Sequence, residues 1–330
     1  MEQMLPVFFV MAMGLALLLY VILDGFDLGV GLLLPQATDT EKDIMIASIG
    51  PFWDANETWI VLGIGILLIA FPKAQGIILT SLYLPVTLML FGLILRGVAF
   101  DFRVKAADAH KHRWNRAFFL GSLIASMSQG WMLGAYITGL GSGLTNILFA
   151  ALIALTLPAL YVMLGAGWLL IKTEGELFDK AVRWGRMALP AMGIALVLVS
   201  IATPIVSSEI AGRWFTLPNA IGLLPIPVSC LVAYLALYRL LRRPEYLRNH
   251  NSWVVYALLV LLCLMAALGL AYSIYPDIII GRMDLYEAAA ATNSLQFIFY
   301  GVAVTLPVIL LYSAYVFVVF RGKATDLSYE

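Results

Sequence analysis

Residues 5–34 read LPVFFVMAMGLALLLYVILDGFDLGVGLLL. From Leu5 to Leu23 the run carries no charge; it then takes in Asp24 and Asp27 and continues apolar to Leu34. As a helix rising about 1.5 Å per residue it extends for about 45 Å. That exceeds the ~30 Å hydrocarbon core of a bilayer. The stretch therefore reads as a membrane span, and the surplus length leaves the depth of the two aspartates open. They sit near the inner interface or well inside.

The rest of the chain has the same character. Of 330 residues 62% are hydrophobic and 12% are charged, against about 25% charged in an average protein. Mean hydropathy is +0.94. At about 20 residues per span there is room for roughly nine or ten spans and little else. A soluble enzyme, a nucleic-acid binder and a disordered chain are excluded. The formal charge is zero, so no bias points to a charged partner. Cys230 and Cys263 lie in apolar stretches and read as small hydrophobes. His110, His112 and His250 fall in charged loops, so no histidine of this chain is placed to hold a haem inside the bilayer. The first 25 residues lack the basic start of a secretory signal, Glu2 being the only early charge.

Apolar runs place nine spans at about 5–30, 53–71, 77–97, 117–139, 146–171, 187–206, 220–240, 253–275 and 296–320. The expected fold is an all-α integral membrane protein, one polytopic domain over 1–330. Lys73, Arg213 and Arg282 fall on one side; the other 17 of the 20 Lys and Arg fall on the other side or at span ends facing it. The positive-inside rule then puts the N-terminus outside and the C-terminus in the cytoplasm. The external acids are Glu2, Glu209, Asp277, Asp284 and Glu287, expected to be solvated. Tyr20-Val21-Ile22-Leu23 and Tyr161-Val162-Met163-Leu164 are four spans apart. They suggest a parallel 4+4 repeat, with units of about 1–140 and 141–275 and a ninth helix at 296–320.

Two acidic clusters stand out. Asp24 and Asp27, at i and i+3, share a helix face, and Gly25 and Gly29 form a small-xxx-small pair suited to close helix approach. At mid-membrane each aspartate costs about 2.5–3.5 kcal/mol on insertion scales. Two readings are open: interfacial acids at a helix end, or a proton or cation path. The second cluster is Gly50-Pro51-Phe52-Trp53-Asp54-Ala55-Asn56-Glu57-Thr58-Trp59. Acids in the first turns of a helix suit its dipole, and the tryptophans suit an interfacial belt. Yet Asp54, Asn56 and Glu57 exceed what capping needs, and both clusters fall on one side. Four carboxyls converging there would relay protons. Arg96 either snorkels from a span end or pairs with one of these acids. Ser126, Ser128 and Gln129 are expected to make interhelical hydrogen bonds.

These strings, with Leu95-Arg96-Gly97-Val98-Ala99-Phe100-Asp101-Phe102-Arg103, the nine spans and the outside N-terminus, resemble subunit II of the cytochrome bd-type quinol oxidases. The short chain is similar to the compact, cyanide-insensitive branch. Gly50 and Glu57 stand where other members often carry Ala and Gln. The resemblance implies a bacterial cytoplasmic (inner) membrane complex that reduces oxygen to water with electrons from quinol. A partner, subunit I, would carry the b and d haems and the quinol site, and a small accessory subunit would be a further neighbour. This chain would bind no haem or metal of its own, although some relatives hold a structural quinone. By the same analogy Asp27 and Asp54 would be proton-path acids, and Asp24 and Glu57 extend that path.

Two other classes compete. A proton- or cation-coupled secondary transporter also fits nine spans, a repeat and intramembrane acids. In a pure assembly scaffold every acid above would be dispensable.

Overall fold

A computed structural model describes residues 4–324; Glu2 lies outside them. The helices in chain order are α1 (Met4–Leu33), α2 (Asp39–Ile49), α3 (Trp53–Ala70), α4 (Pro72–Ser81), α5 (Tyr83–Lys105), α6 (Asp108–Ile137), α7 (Leu144–Lys172) and α8 (Gly175–Val206). Then come α9 (Ser208–Phe215), α10 (Asn219–Leu223), α11 (Pro225–Leu241), α12 (Pro244–Tyr246), α13 (Trp253–Ile274), α14 (Leu285–Ala288) and α15 (Thr292–Val319). A two-stranded antiparallel hairpin, Asp277–Ile279 with Met283–Asp284, precedes α14.

Among the described residues eight helical stretches are long and apolar enough to cross a membrane, α10 and α11 together forming one of them. The expected span at 117–139 coincides with α6. That helix has 30 residues but is not among the eight. Its small and polar side chains lower its hydropathy because they serve packing. A Cβ on Gly121 would stand 2.6 Å from the Gly92 carbonyl of α5, and one on Gly130 would stand 2.6 Å from Ala154 Cα of α7. The helix is therefore wedged between two neighbours, where bulk would cost more than polarity.

Other boundaries shift where the backbone breaks. The span expected from residue 77 starts at Tyr83, because Pro72 opens a separate short helix. The span expected from 220 is divided at Leu224, before Pro225. His110 and His112, expected in a loop, lie exposed on the first turns of α6.

The bundle is organised around α1, which packs against α3, α6, α7 and α13. Its N-terminal half is partly exposed, whereas Asp24 to Leu33 is buried throughout. The approach of α1 to α7 depends on Gly29 and Gly165. A Cβ on Gly29 would lie 1.8 Å from the Tyr161 carbonyl oxygen, and one on Gly165 would lie 2.4 Å from Gly29 C.

Helix α2 clasps one end of the bundle. Its N-terminus carries a capping box, in which Thr38 N donates to Glu41 Oε2 at 2.7 Å and Glu41 N donates to Thr38 Oγ1 at 3.4 Å. Glu41 also pairs with Lys180 of α8 at 2.7 Å, and Asp43 pairs with Arg103 of α5 at 2.8 Å. Beside it Phe26 stacks on Trp168 with ring centroids 4.1 Å apart, and Phe52 stacks on Phe317 at 4.7 Å. The C-terminal segment is held there too: Lys172 Nζ donates to the Gly322 carbonyl at 3.1 Å, and Lys323 Nζ donates to the Thr173 carbonyl at 3.0 Å.

At the other end Arg213 of α9 pairs with Asp277 at 2.9 Å and donates to the Ser273, Ile274 and Tyr275 carbonyls. Asp277 is thus part of an ion pair and not simply solvated. Asp284 accepts from the Tyr286 and Glu287 amides and caps α14.

Candidate functional site: a buried carboxyl–guanidinium cluster

Asp24 and Asp27 lie on the enclosed half of α1, and neither is exposed to solvent. Helix α3 brings Asn56 and Glu57 against them, and α5 brings Arg96. Arg96 Nη2 donates to Asp24 Oδ1 at 2.5 Å and also to Glu57 Oε1. Its side chain is 1% exposed. Of the two readings open for Arg96, snorkelling is the one that fails. The guanidinium turns inward because α5 and α6 close tightly over this turn, with Gly121 packed on the Arg96 backbone.

Asp27 is held differently. Asn56 Nδ2 donates to Asp27 Oδ2 at 2.8 Å and also reaches the Leu23 carbonyl at 3.3 Å. No cation pairs directly with Asp27 among the described residues. Glu57 is a quarter exposed and forms the rim of the cluster. Asp54, one turn earlier on α3, is exposed. Three of the four carboxyls expected to converge therefore do so, and Asp54 stands outside them.

Four buried polar atoms of the cluster make no hydrogen bond to any described group: Asp24 Oδ2, Asp27 Oδ1, Arg96 Nε and Arg96 Nη1. Buried polar atoms are rarely left so. Three carboxyls share one guanidinium, so full ionisation leaves two negative charges unbalanced in a dry interior, which is costly.

Three further side chains adjoin the cluster. Gln129 of α6 donates Nε2–H to the Tyr20 hydroxyl at 2.7 Å and accepts from the Tyr161 hydroxyl. Gln129 makes the interhelical bonds expected of it, whereas Ser126 bonds to Leu123 of its own helix. Tyr20 and Tyr161 were not legible as polar partners, since tyrosine in an apolar run reads as packing. The one signal was the i, i+4 spacing of Tyr20 and Asp24. No group of three His, Cys, Asp or Glu among the described residues is placed to hold a metal ion.

Comparison with known proteins identifies the family of the chain. Residues 5–320 match the family model for cytochrome bd terminal oxidase subunit II. Cytochrome bd-I ubiquinol oxidase subunit 2 of Escherichia coli (strain K12) is 24% identical over 364 aligned positions, covering 96% of this chain and 94% of that one. Cytochrome bd ubiquinol oxidase subunit 2 of Bacillus subtilis (strain 168) is 32% identical over 191 positions, covering 54% of this chain and 55% of its own. A chain in the structure of bd oxidase from Geobacillus thermodenitrificans superposes with a TM-score of 0.72 at 16% identity, covering 97% of this chain and all of that one. At that identity the likeness speaks for the fold alone. The chain belongs to the cytochrome bd terminal oxidase subunit II family, and is a subunit of a quinol oxidase, an oxidoreductase complex.

Proposed function

We propose that this chain packs against a haem-bearing subunit I and supplies part of the cytoplasmic proton path for the reduction of oxygen to water. In this reading the chain lies in a bacterial inner membrane with its N-terminus outside, and α6 serves as a ninth span. The 17 basic residues on one side support that orientation. The 30-residue length of α6 supports the ninth span, since about 20 residues suffice to cross.

The observation that carries the proposal is the Arg96 bridge between Asp24 and Glu57, with Asp27 beside it and one Asp27 oxygen unpaired. Asp54 is the exposed acid at which a proton arrives from water. Glu57, at the rim and partly withdrawn from solvent, passes it inward. Asp24 and Asp27, side by side on the enclosed half of α1, form the interior station. Arg96 keeps their charge from becoming prohibitive and holds three helices in register. Ordered water suits the unpaired oxygens and N–H groups, since each buried water makes about three hydrogen bonds.

The test is Asp54→Asn in the intact oxidase complex. Oxygen consumption is expected to slow while the b- and d-type haem bands persist. Normal turnover in an assembled variant complex would sink the proton-path role of Asp54.

A further inference from the structure

Tyr20, Gln129 and Tyr161 come from α1, α6 and α7 and meet away from solvent, at 3%, 8% and 0% exposure respectively. Their donors run in one direction. Tyr161 donates to Gln129 Oε1, and Gln129 Nε2 donates to the Tyr20 oxygen. With a lone pair of Tyr20 taken, its own proton needs another acceptor. Tyr20 lies one turn before Asp24 on the same face of α1. Asp24 Oδ2 has no hydrogen-bond partner among the described residues, because Arg96 takes only Oδ1.

We propose that Tyr20, oriented by Gln129 and Tyr161, is a positioning residue that fixes the second oxygen of Asp24 while Arg96 fixes the first. Asp24 is then a standing counter-charge to Arg96. Asp27, whose Oδ1 is unpaired, is the carboxyl left to exchange protons. This division of labour rests on the proton role proposed above. It makes that role more specific: of two adjacent aspartates, one is locked and one works.

The groups facing Asp24 are Arg96 on α5, Glu57 on α3, Asp27 and Tyr20 on α1 and Tyr161 on α7. Tyr256 and Cys263 of α13 lie beyond them. Of the two tyrosines nearest Asp24, Tyr161 commits its proton to Gln129, and Tyr20, which accepts from Gln129, keeps its own to give. Removing Tyr20 alters Asp24 without touching Arg96, Glu57 or Asp27.

The test uses the intact oxidase complex carrying Tyr20→Phe or Gln129→Leu. It reads oxygen consumption against pH, with the haem spectrum as the control for assembly. A carboxylate that has lost a donor takes up a proton at higher pH and then competes with Asp27. The profile is expected to move toward alkaline pH by about one unit, the scale of one hydrogen bond to a charged group. Tyr161→Phe is expected to give a smaller shift in the same direction. In an Asp24→Asn background, Tyr20→Phe should add nothing.

An unchanged profile in an assembled Tyr20→Phe complex overturns the proposal. So does a shift that persists in the Asp24→Asn background. Should Gln129→Leu fail to assemble, the nearly isosteric Tyr20→Phe decides. An effect of Asp24→Asn with none from Tyr20→Phe removes only the positioning role. If Asp27→Asn leaves turnover and its pH dependence as in the native complex, the proton role of the cluster falls as well.

Discussion

The Arg96 guanidinium and the Asp24 carboxylate lie 2.5 Å apart with both side chains closed off from solvent. They are 72 residues apart in sequence and on different helices. Asp24 would be unstable in that place without Arg96, because removing the guanidinium leaves a bare charge in a low-dielectric interior. Glu57 completes the bridge from a third helix. The pair therefore both positions α1, α3 and α5 and makes a buried acid tolerable.

Arg96→Leu is expected to destabilise the chain by about 3–5 kcal/mol, the usual cost of breaking a buried pair from one side. Arg96→Lys should fall between that variant and the native protein, since a point charge cannot reproduce the guanidinium fork. Thermal melting of the purified complex, together with its yield, measures both. A native melting temperature for Arg96→Leu would mean that the bridge does not hold the helices.

Asp27→Asn keeps the shape of the side chain and its contact with Asn56 but cannot carry a proton. Turnover is expected to fall by about tenfold or more, on the scale of losing a proton-transfer group, with the haem bands unchanged. Asn56→Ala removes the donor to Asp27 and leaves the carboxyl, so its effect should be smaller. Steady-state oxygen consumption compares the two.

Gly29→Ala tests the crossing of α1 and α7. The added methyl would lie 1.8 Å from the Tyr161 carbonyl oxygen, so backbone must move. A loss of about 1–3 kcal/mol is expected, as for overpacked cores. Gly14→Ala, on the same helix with nothing within 4 Å of the new atom, is the neutral control. Parallel melting curves of the two complexes decide it.

The α2 clasp should loosen in acid. Burial pushes the Glu41 carboxyl up, but hydrogen bonds from Lys180 and Thr38 outweigh it and hold the group below the usual carboxylate range. A carboxyl held low when folded contributes stability that is fully present above its unfolded value of about 4.3. That contribution is lost as pH falls through the lower folded value. A pair with partial solvent access is worth at most about 1 kcal/mol, so the effect is local. Hydrogen exchange in residues 39–49 is expected to quicken below about pH 4, and Glu41→Gln should remove that acid dependence.

Much of the architecture was legible because hydrophobicity is a local quantity. Whether Leu5 to Leu34 forms a long apolar helix depends on those residues alone. Local reading weakened where neighbours change the cost of a residue. The run at 117–139 reads as a span, yet the glycines, serines and Gln129 of α6 keep it out of the eight most apolar helices and pack closely between α5 and α7. Breaks at Leu82 and before Pro225 divided apolar runs that composition alone joined.

The candidate site was legible as an inventory and not as an arrangement. Asp24, Asp27, Asp54, Glu57 and Arg96 could all be singled out, since charge in an apolar chain needs a reason. Spacing also placed Asp54 and Glu57 on one face of α3. Only the tertiary structure decided that Glu57 meets Arg96 while Asp54 faces outward. It likewise decided that Arg96 turns inward, that Asn56 serves Asp27, and that Tyr20 and Tyr161 share Gln129. The physical reason is that these outcomes depend on helix rotation and crossing angle. Those are set by contacts such as Gly29 on Gly165 and Gly92 on Gly121, between segments far apart in the chain.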